Sequence, residues 1–133
     1  MNNKGVWAAS LAASICTTLF GPFDIALRTL VVFIVLDYVT GVIKGWLLKE
    51  ISSARGYQGL IKKSLILVVI IIANMADDML GTNGLFRNAI CYIYISIESI
   101  SILENLAACG VPIPKVLVDK LVQLRDSAEK SLK

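Results

Sequence analysis

Leu65-Ile66-Leu67-Val68-Val69-Ile70-Ile71-Ile72-Ala73 runs without a charge, a glycine or a proline. Alone it is too short to cross a bilayer, which takes about 20 apolar residues at about 1.5 Å each. Its flanks extend it to a stretch from Leu60 to Leu80. Working outward, Ile25 to Leu48 on one side and Leu85 to Ala108 on the other reach the same length. A fourth stretch, Val6 to Phe20, covers only about 22 Å as a helix. It is rich in Ala, Ser and Thr and is closed by Gly21-Pro22. The sequence therefore predicts an all-α membrane protein, a bundle of four transmembrane helices. Three spans plus an interfacial N-terminal helix are the alternative.

Composition points the same way. Of 133 residues, 56% are hydrophobic, and the mean hydropathy is +0.74. A soluble domain of this size has too high a surface-to-volume ratio to hide that much apolar surface. Histidine is absent, which removes the usual general base and the commonest metal ligand. Cys16, Cys91 and Cys109 are far apart, form no C-x-x-C pair, and read as lone buried thiols. Ile15 before Cys16 does not suit a lipoprotein cleavage site. A secretory signal is disfavoured for Val6–Phe20, because another span follows and no clean A-x-A site stands out. Instead Ala8/Ala12 and Ala9/Ala13 form small-xxx-small pairs that suit close helix packing. No nucleophile–base pair, metal cluster or phosphate loop is present, so no enzyme, cofactor, metal or nucleic-acid partner is expected. Gly56-Tyr57-Gln58-Gly59 reads as a turn between helices.

Lys and Arg set the orientation. Of the thirteen, Arg28 and Arg87 alone fall at one end of the predicted spans. With four spans the other eleven, Lys133 included, fall at the opposite end, so the positive-inside rule places both termini in the cytoplasm; if the first stretch does not span, the N-terminus lies outside and the rest is unchanged. Two regions follow, a transmembrane region 1–110 and a cytoplasmic amphipathic tail 111–133. Gly110, Pro112 and Pro114 stop the last span. Leu117, Leu121, Leu124 and Ala128 then form an apolar stripe that can lie on a membrane surface or pack on another copy of the chain.

Polar residues interrupt the spans. A charge at the bilayer centre costs about 2.5–3.5 kcal/mol on insertion scales, so each one needs a partner or water. Asp37 lies mid-helix, with Thr40, Gly41 and Lys44 following on its face. Glu98 is also near mid-helix, with Ser101 and Asn105 on its side and Glu104 about a third of a turn away. At about 1.5 Å per residue, Asp37 and Glu98 sit about 18 and 20 Å from the outer end, and Lys44 and Glu104 about 28 Å. Asn74, Asp77 and Asp78 form a polar end on the third helix. This layering makes Lys44 the one buried cation available to Asp37, Glu98 and Glu104.

Several phrases, in order, resemble the toxin-secretion and phage-lysis holin family of Gram-positive bacteria and their phages. They are Leu36-Asp37-Tyr38-Val39-Thr40-Gly41, then Ile51-Ser52-Ser53 with Gly56, Gly59 and Lys62-Lys63. Ala73-Asn74-Met75-Ala76-Asp77, Glu98-Ser99-Ile100-Ser101-Ile102-Leu103-Glu104-Asn105 and Gly110-Val111-Pro112-Ile113-Pro114-Lys115 follow. Ser99 stands where glycine is common in that family. The resemblance covers about Leu30 to Leu124. It implies a homo-oligomer in the cytoplasmic membrane that opens lesions, through which an endolysin reaches the cell wall or a large toxin leaves. It also implies roles in pore lining or helix pairing for Asp37, Thr40, Lys44, Asn74, Asp77, Glu98, Ser101, Glu104 and Asn105. A small proton-coupled secondary transporter is the rival reading, and a membrane subunit that recruits a partner through its tail is another.

The charge asymmetry yields a topology test. On a background without Cys16, Cys91 and Cys109, an impermeant thiol reagent applied to intact cells should label Thr82→Cys. It should leave Ser53→Cys and Ser131→Cys unreacted. Labelling of Ser53→Cys in sealed cells would refute the orientation.

Overall fold

The computed structural model describes residues 2–131, without the side chain of Ala128. Lys133 and the Ala128 position in the tail stripe lie outside the described residues. Five helices follow in order: α1 Asn3–Phe20, α2 Ile25–Leu47, α3 Ser53–Leu80, α4 Leu85–Ala108 and α5 Lys115–Ser131. Among the described residues, α2, α3 and α4 are long and apolar enough to cross a membrane. The shorter α1, with 18 residues, is not one of these. The chain is thus an all-helical membrane protein with three candidate spans, α1 before them and a C-terminal helix behind.

Helix ends follow local chemistry. The Asn2 side chain accepts from Gly5 N–H at 2.9 Å, and the Asp24 carboxylate accepts from Leu27 N–H at 3.1 Å. Both are ordinary N-caps. Ser52 caps α3 through Arg55 N–H, so that helix starts seven residues before the expected Leu60. Gly56-Tyr57-Gln58-Gly59 is therefore helical, not a turn. The two glycines lie on one face of α3, and Gly56 faces the Tyr38 hydroxyl of α2. The α4 N-cap, Gly84, has no side chain to offer. Asp77 of α3 takes its place across the hairpin, accepting from Phe86 N–H at 2.9 Å and Arg87 N–H at 2.8 Å.

α4 is the central helix. It packs most extensively on α2 and also touches α3 and α5, whereas α2 and α3 touch little. The apolar core sits toward the α3–α4 turn, where Ala26, Leu27 and Leu30 of α2 meet Ile70 of α3 and Cys91 of α4. Away from the core the outer faces carry exposed Val, Leu, Ile, Met and aromatic side chains, which suits lipid better than water.

Three sequence expectations need correction. Ala8, Ala9, Ala12 and Ala13 are exposed, so within the chain they do not serve helix packing. α1 runs alongside α3, and its polar ties to the bundle come from its C-terminal carbonyls. Cys16 is exposed and only Cys91 is fully buried. The tail stripe is also rotated. Val118, Leu121, Val122 and Arg125 are half-buried where α5 lies on α4, whereas Leu117 and Leu124 are exposed.

The tie that holds α1 is a clasp around Arg87. Its Nε donates to Phe20 O at 2.6 Å and its Nη2 to Pro22 O at 2.6 Å, and both Nη atoms reach the Asp24 carboxylate. Asn74 Nδ2 donates to Thr18 O and Leu19 O at 3.2 and 3.0 Å. These carbonyls end a helix and would otherwise lack partners. Gly21 is required at the centre. Its φ is +76°, and a Cβ there would fall 2.8 Å from Asn74 Oδ1 and 2.9 Å from Arg87 Nε.

Hydrogen bonding from Arg87 holds the Asp24 carboxyl below its ordinary range. Because the folded-state pKa is depressed, the stability this pair contributes is complete above about pH 4, the unfolded value. It is lost as pH falls through the folded value. Thermal unfolding in detergent should therefore show a midpoint that drops in acid below pH 4. Arg87→Gln should flatten that acid limb and lower the midpoint at neutral pH.

Candidate functional site

Asp37 and Glu98 face each other across the bundle, and the cation between them is Lys63 of α3. The Lys63 ammonium donates to Asp37 Oδ2 and, at 2.7 Å, to Glu98 Oε2. The side chains are 16%, 7% and 5% exposed for Lys63, Asp37 and Glu98, so the triad is largely out of water. The other Asp37 oxygen accepts from the Ser101 hydroxyl at 2.6 Å and Asn105 Nδ2 at 3.0 Å. Asn105 also reaches the Thr40 hydroxyl at 3.1 Å. Thr40 donates in turn to backbone carbonyls of Leu36 and Asp37 on its own helix. Gly41 leaves room for the Asn105 amide, since a Cβ there would sit 3.7 Å from Nδ2.

Three helices are thereby joined at one level, α2 through Asp37, α3 through Lys63 and α4 through Glu98, Ser101 and Asn105. No buried side-chain nitrogen or oxygen among the described residues lacks a partner. This complete satisfaction is what makes a buried polar network tolerable.

The candidate residues separate into groups. Asp37, Thr40, Gly41, Glu98, Ser101 and Asn105 come together around Lys63. Asn74 and Asp77 do not join them. They lie eleven and fourteen residues further along α3, about 16–21 Å away, in the Arg87 clasp and the α4 cap. The expected Lys44 pairing is not formed. Lys44 makes no ion pair among the described residues, and Glu104 is exposed and bound to Arg125 of α5 at 3.0 Å. The reason is the early start of α3. It carries Lys63 ten residues into the helix, about 15 Å from its first residue, where it meets both carboxylates before Lys44 can.

Lys63, Asp24, Arg87 and Arg125 were missed as site residues. For Lys63 a signal existed, because Lys63, Ile66, Ile70, Asn74 and Asp77 follow at helical spacing on one face. Asp24 and Arg87 carry no pattern that would pair them before the fold brings them together.

A cleft of about 340 Å³ opens between α2, the first turns of α3 and α4. Its walls include Gly41, Gly45, Gly56 and Gly59, and its floor carries Asp37, Lys63, Ser101 and Asn105. The site is thus reachable from the end of the bundle that holds the α2–α3 turn.

These features define a class: a small helical membrane protein whose buried polar groups join its spans. The family follows from comparison. Residues 14–126 match the model of the bacteriophage holin family, and the chain belongs to that family. It is not an enzyme. A 14.9 kDa protein of Clostridium perfringens, itself uncharacterized, is 52% identical over 90% of this chain and 92% of its own length. A probable holin of Bacillus phage phi105 is 41% identical over 71% of this chain and 70% of its own length. A Listeria monocytogenes protein is 42% identical over 74% of this chain and 71% of its own. No solved structure matches.

Removing one partner of a buried ion pair costs about 3–5 kcal/mol. Lys63→Met strands two carboxylates and should destabilise the purified protein by about that amount, whereas Lys44→Met should change stability by less than about 1 kcal/mol. Adding Asp37→Asn to Lys63→Met should recover part of the loss. Denaturant titration followed by circular dichroism measures all three. Equal effects for Lys63→Met and Lys44→Met would refute the assignment.

Proposed function

We propose that the chain assembles into homo-oligomers in the bacterial cytoplasmic membrane and opens lesions there. An endolysin then passes to the cell wall, or a large toxin leaves the cell. The observation that carries this reading is membership of the holin family, reinforced by the identity to a probable holin. The site fits the role. Polar groups sit halfway along apolar helices, and α2 and α3 touch little on the side where the cleft opens. In this reading the triad closes the polar faces of one copy on themselves. Parting α2 from α3 turns Asp37, Ser101, Asn105 and Glu98 toward water and toward other copies, so that their lining keeps a lesion wet. Asn74 and Asp77 keep their structural posts meanwhile. The tail 111–133 lies in the cytoplasm, and an α1 that crosses the membrane brings the N-terminus to the same side, whereas an interfacial α1 leaves it outside.

A proton-coupled transporter would also use a membrane carboxylate at the end of an open cleft. The two readings part on induction. Expression in a bacterium should collapse membrane potential and, with a cognate endolysin, cause abrupt lysis. Abundant protein in the membrane with growth and potential unchanged would refute the lesion reading and favour transport.

A further inference from the structure

The mouth of the cleft has a chemistry that the triad does not use. Lys44 lies seven residues from Asp37 along α2, and Arg55 eight residues from Lys63 along α3. At about 1.5 Å per residue both stand some 10–12 Å above the triad, on opposite walls of the same opening. Both line the cleft, and neither makes an ion pair among the described residues. Glycines at 41, 45, 56 and 59 form much of the wall, so backbone can be approached closely there. Glu50 is the carboxylate at the rim, whereas Asp37 on the floor is already occupied by Lys63, Ser101 and Asn105. Ile51 lines the opening, and Trp46 and Tyr57, next in sequence to the lining residues Gly45 and Gly56, are exposed.

We infer that this cleft binds the phosphodiester headgroup of an anionic phospholipid between Lys44 and Arg55. The mouth sits at the end of three apolar helices, the level of the headgroups, where two cations without an ion-pair partner among the described residues favour a phosphate. Basic pockets between spans take anionic headgroups on the same principle. Trp46 and Tyr57 suit the interface, and the apolar faces of α2 and α3 below them offer a path for acyl chains. A zwitterionic lipid brings its own cation to the site and gains less from Lys44 and Arg55. A free phosphate gains the charges but not the apolar path. The inference stands apart from lesion formation, because it concerns a ligand of the folded chain.

The test uses the full-length protein purified in mild detergent, with lipid retention read by native mass spectrometry and by thermal unfolding. Phosphatidylglycerol, phosphatidylcholine and inorganic phosphate are compared at equal concentration. Phosphatidylglycerol should stay bound at about one per chain, at least tenfold better than phosphatidylcholine, and should raise the unfolding midpoint where phosphate does not. Lys44→Gln with Arg55→Gln should lose that preference at least tenfold. Lys44→Arg with Arg55→Lys, which keeps the charge, should retain it. So should Lys62→Gln with Lys115→Gln, which removes the same charge outside the cleft. Equal losses in the cleft and control pairs would mean diffuse surface attraction and overturn the inference. Equal retention of phosphatidylcholine, or equal stabilisation by inorganic phosphate, would overturn it too.

Discussion

An ammonium group in a low-dielectric interior must have a counter-charge, and the arrangement of this bundle turns on that requirement. Lys63 is placed too deep along α3 for its amine to remain in water, so it draws in Asp37 from α2 and Glu98 from α4. Because each partner comes from a different helix, satisfying one charge fixes three helices at once. Ser101, Asn105 and Thr40 then complete the acceptors around Asp37. Aliphatic packing between spans discriminates poorly among rotations, since lipid tails are as apolar as leucine. A charged triad does not tolerate rotation, so it sets the register that the apolar core alone leaves loose.

The two ends of the bundle are held differently. At the end with the α3–α4 turn, Arg87, Asp24, Asn74 and Asp77 tie helix ends together by hydrogen bonds beside a cleft of about 360 Å³, and the apolar core lies just beneath. At the other end, glycines of α2 and α3 line an opening, and among the described residues Lys44 and Arg55 make no ion pair. The triad lies between the two.

Much of this was legible in the residues. Three long apolar stretches became α2, α3 and α4, and the tail helix formed beyond the prolines. The facing of Asp37 and Glu98 was legible as equal depth, because helical rise is fixed. What failed was a boundary. Lys62-Lys63 looked like the edge of a span because charges usually mark edges, yet Ser52 starts the helix ten residues before Lys63. A lysine with a counter-ion can sit well inside the span, and sequence shows the lysine but not the counter-ion. The Asp24–Arg87 pair was illegible for a related reason, since residues 63 positions apart meet only through topology. The small residues of α1 looked like packing positions, but spacing shows which face is small, not whether anything covers it.

Asp77 capping α4 from the neighbouring helix bears on how the chain is made. The cap and the Lys63–Glu98 contact both lie inside the α3–α4 hairpin, so Asp77, Lys63 and Glu98 find partners there once its turn has closed. α2 emerges from the ribosome earlier, carrying Asp37 with nothing to neutralise it. During synthesis it is therefore the costly segment, poorly settled in lipid until the later hairpin arrives with the ammonium group. The α3–α4 hairpin, translated later, in effect retains the first long helix in the bilayer, and a chain truncated before Lys63 should leave α2 easily extracted.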